Sequence, residues 1–284
     1  MLISPSQELW HSPLAASSSA ENVASFLSNI LAHPLTRGMS LDDPRTTELR
    51  ARIIREKGFL RRIYACWYQL LLDAVPRGDG RVLEIGCGGG FLKEMEPALI
   101  ASEIFPTPSA DIVLDSRLLP FRASSLKAVL MVDVLHHVTE PAAFLREASR
   151  CVTPGGACLM IEPWNTGWGR WVYRHLHHEP FEPDGGWTIP SSGPLSGANG
   201  ALPWILFERD VSLFRERFPE WRISRIRPLM PFVYLASGGI STRSLLPSWA
   251  FKVLRGVEQF VPGFDQVAGM FAFISLERVS PGTL

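Results

Sequence analysis

Cysteine is scarce in this chain of 284 residues: Cys66, Cys87, Cys151 and Cys158 are the whole supply, and no two form a Cys-x-x-Cys pair. That excludes a zinc ribbon and a disulfide-stapled secreted domain, and makes a reducing cytoplasm the simplest home. Neither sign of charge is in excess, with 28 Lys plus Arg against 28 Asp plus Glu. A neutral chain offers no electrostatic reason to expect nucleic acid as a partner. No long apolar run is present either. The longest charge-free stretch, Gly185 to Phe207, is broken by Gly, Pro and Ser and cannot span a bilayer. The start, Met1 to Pro13, lacks the basic-then-apolar layout of a signal peptide.

What is present is a hydrophobic fraction of 46%, ample for a core. Up to about Val75 the pattern is helical. Asp43-Pro44 offers an N-cap followed by proline, and apolar residues recur from Leu49 to Leu71. From Arg81 short apolar strands alternate with helices or loops, as in a parallel sheet. Strands are predicted near Arg81–Ile85, Ala98–Ser102, Asp111–Leu114, Ala128–Val132 and Ala157–Ile161, with later ones at Trp221–Arg227 and Met270–Glu277. A helix from Pro141 to Cys151 stops before Pro154-Gly155-Gly156. Only Phe91 to Pro97 separate the first glycine turn from the second strand, so that crossover helix must be short.

The strongest chemical signal is Leu83-Glu84-Ile85-Gly86-Cys87-Gly88-Gly89-Gly90. Glycines let the backbone turn sharply and approach a ligand where any Cβ would collide. A dinucleotide fingerprint wants glycine at its first, third and sixth positions, but the sixth residue counted from Gly86 is Phe91. The arrangement Glu84-x-Gly86-x-Gly88-x-Gly90 instead resembles motif I of class I S-adenosylmethionine-dependent methyltransferases. Glu103, Asp115 in Leu114-Asp115-Ser116, Asp133 and His136-His137 in Val132-Asp133-Val134-Leu135-His136-His137, and Pro154-Gly155-Gly156 follow in that family's order. The chain is similar to a bacterial, type 11-like subgroup of it.

The resemblance implies a Rossmann-like α/β/α sandwich, residues 77–284, behind an N-terminal helical cap, residues 1–76. It implies S-adenosylmethionine as cofactor, held by Glu84, Gly86, Cys87, Gly88, Gly90, Glu103, Asp115, Ser116 and Asp133, with Glu103 on the ribose and Asp115 or Ser116 near the adenine. Cys87 reads as a small turn residue. His136 is the expected base for a hydroxyl acceptor, with Asp133 lining the methionine end or orienting it; His136 could equally be a satisfied structural histidine. His137 is placed among substrate contacts, although packing or a backbone bond is its commoner role.

Lid insertions are expected at about 163–210 and 232–269. The first is rich in Trp and His, and Trp164, Trp171, His175 and His178 are its candidate acceptor contacts. His175, His177, His178 and Glu179 could ligate a metal, yet they have no recognised ligand spacing and methyl transfer needs none, so no metal is expected. In the stretch Pro247–Phe260, Trp249, Val253, Val257 and Phe260 form one stripe. That suits a lid helix packed on the core or, for a lipid-linked acceptor, an interfacial membrane helix. O-methylation of a small-molecule or lipid-linked acceptor is the leading expectation. A cyclisation or rearrangement on the same scaffold, or a silent cofactor-binding partner protein, are the alternatives.

Overall fold

The computed structural model describes residues 45–177, 179–190, 193 and 197–280. Its centre is a seven-stranded sheet in the order β3-β2-β1-β4-β5-β7-β6, built from β1 (Arg81–Ile85), β2 (Ile100–Glu103), β3 (Ile112–Val113), β4 (Leu126–Val132), β5 (Val152–Pro163), β6 (Trp221–Leu229) and β7 (Phe271–Arg278). The central strands are apolar on both faces because both faces are covered. Alternate residues serve the two sides. Val82, Ala128, Leu130, Leu159 and Ile161 join one buried cluster, while Leu83, Ile85, Val129, Met131, Cys158 and Met160 join the other.

The first face is covered by α1 (Arg45–Glu56) and α2 (Gly58–Ala74). Helix α2 buries Leu60, Ile63, Tyr64, Trp67 and Leu71, a stripe at helical spacing. Trp67 packs on Phe271 of β7, ring centroids 4.7 Å apart, and stacks on Tyr234 of α7 (Val233–Ser237). Between α1 and α2 the buried Lys57 ammonium donates to the carbonyls of Gly239 and, at 2.7 Å, Thr242. On the second face lies α4 (Pro141–Cys151), which buries Phe144, Leu145 and Ala148. The crossover from β1 to β2 is the five-residue helix α3 (Phe91–Met95), as its short span requires.

Two features go beyond the expectation. The sheet is mixed: β7 lies between β5 and β6 and is antiparallel to both. The first residue of β7, Phe271, pairs with the last of β5, Pro163, so the strand enters at the carboxyl end of β5 and must run back along it. The first insertion also contains a regular helix, α5 (Gly167–Leu176), whose N-cap Thr166 accepts from the Gly169 amide at 2.9 Å. A helical turn at Leu202–Trp204 and a π-helical turn at Ile205–Arg209 lead into α6 (Val211–Arg217).

Helix α8 (Ala250–Phe260) buries Phe251 and Glu258, and α9 (Phe264–Ala268) leads into β7. The stripe of Trp249, Val253, Val257 and Phe260 faces outward, 60–87% exposed, and is not packed on the core. The reason is that Glu258 points inward, accepting from the amides of Phe232 and Val233, and so fixes the helix's rotation. Among the described residues no helix is long and apolar enough to cross a membrane. Asp43-Pro44 lies outside the described residues.

Candidate functional site

Where β1 ends the chain turns through Gly86, Gly88 and Gly90, all at positive φ, before α3 begins. A Cβ on Gly86 would lie 2.5 Å from the Val134 side chain, whereas one on Gly88 would meet nothing, because Gly88 faces an open cavity. Gly86, Cys87, Gly88, Glu103, Asp115, Ser116 and Asp133 all line that cavity, which lies across the carboxyl ends of β1 and its neighbours. Ligands bind there in open α/β sheets. Gly90 stands one step back, as N-cap of α3.

Glu103 at the end of β2 accepts from the Gly88 amide at 3.0 Å and the Ile104 amide at 2.9 Å, one on each carboxylate oxygen. Each oxygen keeps a lone pair for a hydroxyl in the cavity. Beneath the turn, Glu84 is buried; burial and the neighbouring Glu103 push its pKa up to about 8, and its Oε2 has no partner. Burial pushes the Cys87 thiol up as well, so it is not a nucleophile. Asp115 is held below the usual carboxylate range by hydrogen bonds from Arg117, which reaches on to Glu140 at 3.0 Å.

After β4 the chain carries Asp133 at φ 61, a strained conformation for a non-glycine residue, with its carboxylate on the cavity. Burial raises its pKa to about 6, opposed by His136. The 3-10 turn Leu135–His137 follows. Glu162, fully buried at the end of β5, anchors it: one oxygen accepts from the Val134 and Leu135 amides at 2.9 and 2.7 Å, the other faces His136 Nδ1 at 2.8 Å. His136 Nε2 lies 3.5 Å from Glu179 and 3.9 Å from Asp133. Burial alone would lower its pKa, but the hydrogen bond to Glu162 and the nearby carboxylate of Glu179 hold it well above the ordinary value. His137 meets the Gly197 carbonyl through Nδ1 at 3.0 Å, and burial together with His136 lowers its pKa to about 4.

The structure sets His136 apart from the cavity: it is fully buried and does not line it. Asp133 and His137 are the polar groups of this segment that reach the cavity. The other expected contacts are elsewhere. Trp164 is buried in the core, Trp171 is half exposed and stacks on Trp168 and His175, and His175 bonds the Trp171 carbonyl on the outer face of α5. None of the three lines the cavity. His178 lies outside the described residues.

The roof of the cavity comes from a source the sequence reading did not mark. Thr47, Arg50, Ala51 and Ile54 of α1 and Tyr64 and Tyr68 of α2 close it, and among the described residues of the two expected lid segments only Ile240 takes part. Glu162 was also missed. A lone acid at a strand end carries no sequence mark of the turn it will anchor. Glu179 ends up between the two imidazoles and not beside His175, and with His136 and His137 it forms a group whose ligand atoms lie within 4.8 Å of one another.

A family model described as a methyltransferase domain matches residues 57–234. Among curated proteins, the ubiquinone biosynthesis O-methyltransferase of Xanthomonas axonopodis pv. citri (strain 306) is 30% identical over 104 residues, covering 30% of this chain and 43% of that protein. The protein of the same description from Caulobacter sp. (strain K31) is 36% identical over 100 residues, 28% of this chain and 39% of that one. The chain thus spans less than half the length of these relatives. Among solved structures, a geranyl diphosphate C-methyltransferase from Streptomyces coelicolor A3(2) has a TM-score of 0.46 at 15% identity, covering 93% of this chain and 100% of that one. The [4+2]-cyclase SpnF has a TM-score of 0.44 at 16% identity, covering 75% and 80%.

Proposed function

This chain belongs to the methyltransferase-domain family of class I S-adenosylmethionine-dependent enzymes, and from that premise we propose that it methylates a hydroxyl group of a small acceptor, free or lipid-linked. The observation that carries the reading is Glu103 clamped to the Gly88 amide at the edge of an open cavity. The residues fit the cofactor. Glu103 keeps acceptor capacity for two ribose hydroxyls, and Gly88 leaves room for close approach. Gly86 and Cys87 shape the turn, Gly90 starts the helix behind it, Asp115 and Ser116 flank the adenine end, and Asp133 borders the methionine end.

When bound, S-adenosylmethionine supplies a methyl group made electrophilic by its sulfonium. The chain's own task is to align the acceptor and take its proton. Asp133 is the group assigned to that proton, because its carboxylate reaches the cavity and burial tunes it near the working range. His136 acts from behind as a positioning residue, held by Glu162. His137, Tyr64, Tyr68 and Arg50 are the assigned acceptor contacts. The outward apolar stripe of α8 supports a lipid-linked acceptor approached at a membrane surface.

The test is calorimetric titration with S-adenosylmethionine and its demethylated product, followed by an acceptor screen read as a mass gain of one methyl. Micromolar binding of both is expected; binding of neither refutes the reading. Asp133→Asn should lower kcat about 100-fold or more and weaken cofactor binding far less; an unchanged kcat removes the base assignment. Co-sedimentation with anionic vesicles is expected to fall on Trp249→Ala and Phe260→Ala together, and no sedimentation of the unmutated chain rules out the membrane approach.

A further inference from the structure

We propose that His136, His137 and Glu179 form a binding site for a divalent d-block cation of the zinc class, bordered by Asp133. The first support is the way the two rings are set. His136 directs Nδ1 at Glu162, 2.8 Å away, and His137 directs Nδ1 at the Gly197 carbonyl, 3.0 Å away. Metal-ligating histidines are fixed in this manner, one ring nitrogen bound to a carboxylate or carbonyl and the other left to the ion. Both Nε2 atoms then converge on one carboxylate, His136 on Oε2 of Glu179 and His137 on Oε1.

The second support is distance. The two gaps are 3.5 and 3.8 Å, and His136 Nε2, fully buried, makes no hydrogen bond across its own. Such separations are poor for direct hydrogen bonds. Two ligands of a tetrahedral zinc ion at ordinary Zn–N and Zn–O lengths stand roughly 3.4 Å apart. One ligand atom from each of the three residues lies within 4.8 Å of the other two.

Charge is the third. The carboxylates of Glu162, Glu179 and Asp133 surround these two rings with side-chain exposures of 0, 13 and 29%. A divalent cation would be favoured among these carboxylates, on which Arg50 and His177 also act. Two histidines and one carboxylate make three protein ligands, the number at which zinc keeps a position open. Asp133 lines the cavity and lies 3.9 Å from His136 Nε2, so an acceptor oxygen near Asp133 is within range of that position. The site itself stands on its geometry and charge; only its use for an acceptor oxygen rests on the function proposed above.

The full-length chain, stripped with chelator, is titrated with Zn2+, Mn2+ and Co2+ by calorimetry, and the Co2+ form is read by its visible d–d absorption. One ion per chain is expected, with tetrahedral or five-coordinate Co2+ bands. Glu179→Gln, which keeps the side chain's shape, and His137→Ala should each weaken binding about 100-fold or more, while His175→Ala should bind as the unmutated chain does. Circular dichroism checks that the variants are folded, and if His137→Ala is not, the Glu179→Gln result decides alone. No uptake of any of the three ions by the unmutated chain overturns the proposal, as does uptake equal in all variants. Cofactor titration is run on the same samples. Cofactor binding without metal uptake overturns the metal site and leaves the methyltransferase reading standing, whereas metal uptake without cofactor binding does the reverse.

Discussion

Replacing Glu103 with glutamine tests the cofactor site at its most specific point. Its two oxygens each accept one backbone amide, from Gly88 and from Ile104. Glutamine keeps the shape but has a single acceptor oxygen, so its NH2 must confront one of those amides donor to donor. The proposed ribose hydroxyls lose a charged acceptor, and hydrogen bonds to charged groups contribute about 1.5–3 kcal/mol. At 1.4 kcal/mol for each factor of ten, that is a rise in Kd of roughly 10- to 150-fold. The ribose is common to S-adenosylmethionine and its demethylated product, so both should weaken alike. If Glu103 acted only as a distant counter-charge to the sulfonium, the methylated form alone would suffer. Calorimetric titration of Glu103→Gln with each ligand, on protein whose thermal transition has been measured without ligand, separates the cases. A folded variant that binds both within twofold of the unmutated chain refutes the ribose assignment.

Glu84→Gln should stabilise the chain at alkaline pH. Glu84 has its folded pKa raised from 4.5 to about 8, so its contribution is full below pH 4.5 and lost as pH rises toward 8. The neutral amide removes a penalty on the order of a few kcal/mol near pH 8, read as a higher Tm in the variant at pH 8 but not at pH 4.5; equal pH dependence in both would contradict it. Glu162→Ala should cost about 3–5 kcal/mol in denaturant unfolding, because it strips the Val134 and Leu135 amides and His136 Nδ1 of their partner at once. A loss below 1 kcal/mol would mean water replaces it. Gly86→Ala forces a Cβ against Val134 at φ 72 and should cost about 1–2 kcal/mol as well as cofactor affinity; unchanged Tm and Kd would show that Val134 yields freely.

The sequence revealed what is decided locally. The glycine turn, the strand ends carrying Glu103 and Asp133, and helix Pro141–Cys151 all depend on residues within a few positions of one another. The direction of β7 does not, since nothing within Phe271–Arg278 says from which end of the sheet the chain will arrive. The setting of His136 was hidden for a related reason. The His136-His137 pair is visible in the sequence, but Glu162, which holds the His136 ring, comes from the next strand. Helical spacing in α1 likewise marks Ile53 and Ile54 as buried, without saying that Arg50 and Thr47 will roof a cavity. Tryptophan and histidine enrichment marked the first insertion as a binding wall, yet Trp164 went to the core and Trp171 to the surface.

Lys57 ties the junction of α1 and α2 to the carbonyls of Gly239 and Thr242, and so joins the two stretches of chain that close the cavity from above. The residues assigned to the cofactor belong to a different part of the chain, from Glu84 to Asp133. On the proposed reading the site is therefore divisible in part: apart from His137, the assigned acceptor contacts lie outside the cofactor stretch, and exchanging the segments that carry them between relatives should redirect acceptor choice without rebuilding the handling of the methyl donor. The segments stand one before β1 and one after β6, and a swap that carries only one of them severs the lysine tie.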